Sequence, residues 1–230
     1  MKNVFSLQHG FASVATALSL TCSLICSTVA SAAPMMMTFE GLQDFEELTD
    51  FYNGGYGGNG SGPGPNYGVV FSSGVYASID ADDGGSGNFG GEPSPRTAVS
   101  FQQNGGGMMN VASGFGGQLS FYYSNPNGAS TVYIYDGLNG TGGLLASLFL
   151  PVTPYQGQLD PTGDLSPFLL TSVSFAGLAK SVDFGALAHS AYVDDIAIGS
   201  IPEPSTVALL ALGVPIAFLF RRRRSSKRSV

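Results

Sequence analysis

Residues 80–88, Asp80-Ala81-Asp82-Asp83-Gly84-Gly85-Ser86-Gly87-Asn88, form the stretch densest in side chains that could do chemistry. Hard carboxylate oxygens interleaved with glycines are what a loop needs to close round a calcium ion, and Asp80, Asp82 and Asp83 are the expected ligands. The stretch departs from the EF-hand pattern, because Gly84 stands where an acid belongs and the twelfth position is Gly91 rather than glutamate. An acidic turn that only keeps the protein soluble is the plainer alternative. His189 is a second starting point, with Asp183, Asp194 and Asp195 close in sequence and several serines available. A hydrolytic triad needs a base between nucleophile and orienting acid, and the chain has no nucleophile-elbow motif. The simpler reading is a polar turn residue. Paired carboxylates for glycoside hydrolysis could be drawn from any two acids of so acidic a chain, where a solvated face is the simpler account. Tyr52, Tyr56 and Tyr67 flank or occupy a glycine loop and offer rings for stacking on sugar. Ordinary packing of tyrosine in a sandwich is the alternative.

Charge narrows the classes of partner. Between Ala33 and Ser200 only Arg96 and Lys180 are basic, against 15 acids, so this part carries −13. Binding a phosphate backbone needs clustered lysine and arginine, and nucleic acid is not an expected partner. The two cysteines, Cys22 and Cys26, both lie in the leading segment. Its removal would leave no cysteine, and with it no disulfide, thiol catalysis or cysteine–metal cluster.

The elements that must position these residues read as strands. Residues 35–40, 67–71, 75–80, 97–102, 108–113, 118–124, 131–135, 144–150, 170–175, 180–184 and 191–198 are short, apolar-patterned segments bounded by glycine, asparagine or proline. Residues 131–135, Thr-Val-Tyr-Ile-Tyr, alternate strictly, and Asp136-Gly137-Leu138-Asn139-Gly140 turns the chain into the next segment. Residues 41–51 are acidic and suit a short helix or turn, and residues 53–66 read as an exposed, mobile glycine loop. No sustained 3.6-residue apolar pattern occurs between Ala33 and Ser200. The expected fold class is all-β, a two-sheet antiparallel sandwich of the jelly-roll kind over residues 33–200.

Both ends read as targeting segments. Lys2, a largely apolar run over residues 11–29 and Ala30-Ser31-Ala32 make a signal peptide of residues 1–32. At the other end stand Pro202-Glu203-Pro204, an apolar run over residues 205–220, then Arg221, Arg222, Arg223 and Arg224. Sixteen residues of helix reach about 24 Å, short of the roughly 30 Å hydrocarbon core, and snorkelling arginines make up the difference. The basic block holds its own side in the cytoplasm as a stop-transfer signal, with residues 225–230 as a cytoplasmic tail. Pro202 and Pro204 keep the peptide just outside the bilayer extended and open to a protease.

That three-part ending resembles the PEP-CTERM sorting signal, with Pro202-Glu203-Pro204 as the motif itself. The resemblance implies an exosortase, an integral-membrane cysteine protease, as processing partner. It also implies an inner-membrane-anchored precursor and a mature form at the surface or in the extracellular matrix of a Gram-negative-type bacterium that makes exopolysaccharide. Thr38-Phe39-Glu40 and Tyr192-Val193-Asp194-Asp195-Ile196 resemble the first and last strands of secreted jelly-roll modules of the carbohydrate-binding type. In those modules the two strands are neighbours and often share a structural calcium ion, which makes Glu40, Asp194 and Asp195 the second candidate metal site. The expected function is a non-catalytic surface or matrix protein associated with exopolysaccharide. An exported hydrolase acting on glycan or ester is the alternative.

Overall fold

The computed structural model describes residues 34–102, 106–154, 163–165 and 167–199. The signal peptide, Pro202, Glu203, Pro204, the apolar run 205–220 and Arg221 to Arg224 lie outside them. Among the described residues nine strands form: β1 (Met35–Met37), β2 (Val69–Phe71), β3 (Val75–Ile79), β4 (Thr97–Phe101), β5 (Met108–Ser124), β6 (Ser130–Tyr135), β7 (Leu144–Leu150), β8 (Leu169–Asp183) and β9 (Tyr192–Ile198). Among the described residues the only helical pieces are two 3₁₀ turns, Leu138–Gly140 and Gly185–Leu187. The acidic segment 41–51 folds as turns.

Every strand pairing is antiparallel, as the alternation of apolar and polar residues predicts. The hydrogen-bonded order is β3-β4-β9-β5-β8-β6-β7, with β1 added to β9 and β2 to β5. All nine strands therefore belong to one continuous sheet, and β5 and β8 run through both halves of it. Residues 108–113 and 118–124, expected as separate strands, are one strand of 17 residues; 170–175 and 180–184 likewise merge into one of 15. Gly114 and Gly117 do not reverse the chain. They take φ of 75° and 86° where the β5–β8 register slips, between Asn110 and Phe115 and again between Gly116 and Gly117. Bulges of this kind bend a strand and raise its twist, and they carry β5 and β8 from one layer into the other.

The layers meet over an aromatic core. Phe184, just past β8, packs against Phe121 of β5 at 5.4 Å and Phe101 of β4 at 5.5 Å between ring centroids. Phe39 and Phe71 bring the ends of β1 and β2 together at 6.4 Å.

The glycine loop differs from a free loop. Glu46 is fully buried beneath it. Its Oε1 accepts the amides of Asn59 and Ser61, both at 2.9 Å, and its Oε2 accepts the Gln43 amide at 2.7 Å. A Cβ on Gly57 would lie 2.5 Å from that same Oε1. Glycine is needed here because the carboxylate occupies the space a side chain would take.

Candidate functional site

The two chain ends meet at the first acidic site. Met35 lies opposite Ile198 and Met37 opposite Ile196, while Val193 pairs with Val99 of β4. β9 thus changes partner at Asp194 and Asp195, and Asp195 adopts a φ of 50° at the change. Phe39, at a φ of 63°, turns the chain after β1 so that Glu40 arrives beside the same two aspartates.

Asp194 is completely buried. Its carboxylate accepts the Ser94 amide at 3.0 Å and the Ser94 hydroxyl, whose Oγ lies 2.9 Å from one oxygen and 2.8 Å from the other; the Asp195 amide donates at 2.6 Å. Glu40 Oε1 accepts the amides of Thr97 at 2.9 Å and Arg96 at 3.2 Å, and the Arg96 guanidinium stands 3.9 Å from Oε2. Two further oxygens, Asp195 Oδ1 and Thr97 Oγ1, are buried with no hydrogen-bond partner among the described residues. Burial pushes the Asp194 carboxyl up to about 7 despite the Ser94 hydrogen bonds, and the charge of Asp195 adds to the rise. Burial, then the charge of Glu40, raises Asp195 as well. Orphaned buried oxygens beside carboxylates that resist ionisation are a site short of positive charge, and every donor is a hard oxygen of the sort calcium takes. The residues present fit that ion.

The second acidic site differs from its expected membership. Carboxylate oxygens of Asp80, Asp83 and Glu92 lie within 4.8 Å of one another, and Asp82 is not part of the group. Amides of Asp83 and Gly85 donate to the Asp80 carbonyl at 3.1 Å and 2.9 Å, which curls the loop. Gly85 passes so close to Ile79 that a Cβ would sit 2.1 Å from its carbonyl oxygen. Glu92 was not singled out in the sequence: it falls one place beyond the twelfth loop position, past a second glycine pair.

The three tyrosines separate. Tyr52 is a core residue and not a surface platform: it is buried, its hydroxyl accepts the Phe39 amide at 2.6 Å, and its ring stacks on Tyr67 at 5.8 Å. Burial also raises its hydroxyl well above the usual tyrosine range. Tyr67 is half-buried, and only Tyr56 stands largely free, at 57% exposure.

His189 shares its cleft with none of the aspartates near it in sequence. It lines a cleft of about 230 Å³ with Phe45, Ser100, Gln102, Ser190 and Tyr192. The Ser190 hydroxyl donates to the Leu187 carbonyl at 3.1 Å, so its proton is directed there. The cleft is smaller than a typical site for a drug-sized ligand and suits one ring of a longer molecule. Phe45, 55% exposed, forms part of its wall.

An all-β ectodomain closed by its two end strands and followed by a targeting ending defines the class: an exported surface protein. The ending itself is specific, since residues 200–224 match the PEP-CTERM protein-sorting motif. Such a motif implies an exported, membrane-anchored precursor processed by an exosortase. No curated protein matches the chain. Among solved structures, it is similar to a carbohydrate-binding module from Cellvibrio mixtus lichenase 5A in complex with cellotriose, at 15% identity over 56% of this chain and 88% of that one, with a TM-score of 0.30. It is also similar to the K2 cleaved adhesin domain of Lys-gingipain, at 12% identity over 72% of this chain and 99% of that one, TM-score 0.42. The K1 domain from Porphyromonas gingivalis W83 matches at 14% identity over 56% and 96% of the two chains, TM-score 0.30. Likenesses of this size leave the ligand to be argued from the chain's own residues.

Proposed function

We propose that this protein is a non-catalytic surface or matrix component whose ectodomain binds exopolysaccharide in the cleft beside His189, with calcium as a structural ion. The observation that carries the reading is how the polar groups are distributed. Glu46, Glu40 and Asp194 hold backbone amides and loops together, whereas the cleft offers aromatic rings beside hydroxyl, amide and imidazole groups and no carboxylate. Rings that stack on the apolar face of a sugar, with polar groups for its hydroxyls, are the chemistry of glycan binding without cleavage. The sorting signal supports the location. Calcium is supported by the orphaned oxygens of Asp195 and Thr97 beside Glu40 and Asp194, and more weakly by the cluster of Asp80, Asp83 and Glu92.

A polysaccharide array probed with and without chelator identifies the ligand. Phe45→Ala is then expected to weaken its binding about tenfold, near 1.4 kcal/mol, with the melting temperature unchanged. Turnover of fluorogenic glycosides or esters that disappears in His189→Ala would replace this reading with the hydrolase alternative.

A further inference from the structure

The described chain leaves the sandwich at one end of β9. β9 finishes at Ile198, and the Gly199 amide donates to the Gln118 carbonyl at 2.8 Å. Gly199 packs so tightly on the bulge that a Cβ there would be 2.0 Å from the Gly116 carbonyl oxygen. Gly116 pairs with Leu178, and a Cβ on Gly177 would lie 3.6 Å from Leu145 of β7. The exit point, both bulges and the start of β7 therefore share one tip. The β6–β7 turn belongs to it as well, fastened by Gly140 donating to Ser181 Oγ at 3.0 Å.

This tip exposes large apolar side chains: Leu138, Leu144 at 54% and Leu178, with Met36 at 51% alongside the exit. In a domain of −13, residues 111–119 and 173–179 carry no charge, and the first charged residue beyond them is Lys180, one of two bases in the ectodomain. Lys180 makes no ion pair among the described residues. The turn's own carboxylate, Asp136, is engaged by the Gly143 amide at 2.7 Å. Glu40, Asp194 and Asp195 stand farther back along β1 and β9.

Five residues lie between Gly199 and the start of the apolar run at Ser205, and the six steps reach at most about 20 Å. If the run 205–220 enters a bilayer, as the sorting motif implies, a tether this short keeps the tip beside that bilayer. We propose that the tip is a membrane-seating surface: in the anchored precursor Leu138, Leu144 and Leu178 enter the headgroup layer of the bilayer, and Lys180 meets anionic lipid headgroups. Apolar side chains entering an interface while a base meets lipid charge is the usual composition of interfacial attachment. Seating would hold the sorting motif at a set height above the bilayer.

The test uses the full chain, with Cys22 and Cys26 changed to serine, reconstituted without protease in vesicles of phosphatidylethanolamine and phosphatidylglycerol. A fluorophore is attached to Leu144→Cys, Leu178→Cys or Leu170→Cys and quenched by lipids brominated on their acyl chains. Leu170 is 62% exposed but sits at the far end of β8, about 25 Å from Leu178. The two tip labels are expected to be quenched at least about threefold more than the Leu170 label, since seated side chains enter roughly 5–10 Å into the interface. Adding Leu178→Glu should lower quenching at position 144 while the circular dichroism spectrum stays unchanged. Equal quenching at all three positions overturns the proposal, as does a Leu144 signal indifferent to Leu178→Glu, which would mean passive tethering. Shielding of the tip only when an exosortase is co-reconstituted overturns it too, in favour of a protease-docking surface.

Discussion

A buried carboxylate is stable only where donors replace the water it has lost. Glu46 meets that condition with three amides, from Gln43, Asn59 and Ser61. Burial pushes its carboxyl up, but those hydrogen bonds outweigh the burial and hold it below the usual carboxylate range. This side chain adds to the backbone hydrogen bonds, such as Gly58 N–H to the Glu47 carbonyl at 2.8 Å, that hold the glycine loop in place. Glu46→Ala would leave the three amides to find water and free residues 54–64. The expected loss is about 3 kcal/mol, since an unsatisfied buried donor costs about 1–3 kcal/mol and part of the loop can rehydrate. In a domain of this size that lowers the melting temperature by roughly 6–12 °C. Limited proteolysis should then cut within residues 54–64 while the core strands survive. An unchanged melt and protease pattern would mean that the loop is ordered by its own turns and not by the carboxylate.

At the scale of elements, glycine has two meanings that the sequence does not separate. Gly107, just before β5, has a φ of 114°, and a Cβ there would lie 2.6 Å from the Gly185 backbone nitrogen; Gly117, inside β5, has a φ of 86° with open space beside it. Gly117→Ala should cost about 1–2 kcal/mol, the strain of a left-handed residue alone. Gly107→Ala adds a clash with backbone that cannot swing aside, and about 3 kcal/mol or more is expected. Equal chemical-denaturation midpoints for the two variants would remove the distinction. The same ambiguity explains what was legible beforehand. Residues 144–150 and the alternating 131–135 were readable as strands because half-buried strands repeat every second residue. The continuity of β5 and β8 was not readable, because glycine looks the same in a bulge as in a reversal, and only the partner strand decides. Glu40 could be joined to Asp194 and Asp195 across some 150 residues only through the resemblance of the end strands. Tyr52 reads as a loop residue because Asn53, Gly54 and Gly55 follow it, although its ring turns inward to Phe39.

For the molecule as a whole, stability turns on how its two ends close. β1 is only three residues long, and the Asp194 site beside it gathers Asp195, Glu40, Ser94, Arg96 and the Tyr52 hydroxyl. The Asp194 carboxyl titrates at about 7 when folded, against 3.8 for an ordinary aspartate. The folded state thus holds its proton more tightly, and this contribution to stability is complete below the unfolded value and lost as pH rises through the folded one. In chelator the folding stability, and the melting temperature with it, should therefore fall between about pH 4 and about pH 7, by on the order of a few kcal/mol. Asp194→Asn should flatten that fall, because the amide carries no charge to bury. A divalent cation supplies the missing charge, favours the carboxylate and reverses the penalty. Calcium that binds only the native state adds RT ln(1 + [Ca]/Kd), about 2.7 kcal/mol at a hundredfold excess over Kd. In differential scanning calorimetry that is a rise of roughly 5–10 °C, reversed by chelator. Sodium chloride at matched ionic strength controls for screening of the −13 ectodomain. Glu40→Ala should abolish the rise if the end strands hold the ion, and Glu92→Ala should do so if the loop does. Equal melting temperatures in calcium and chelator at pH about 8 would leave Asp194 as an uncompensated buried acid and both clusters without an ion.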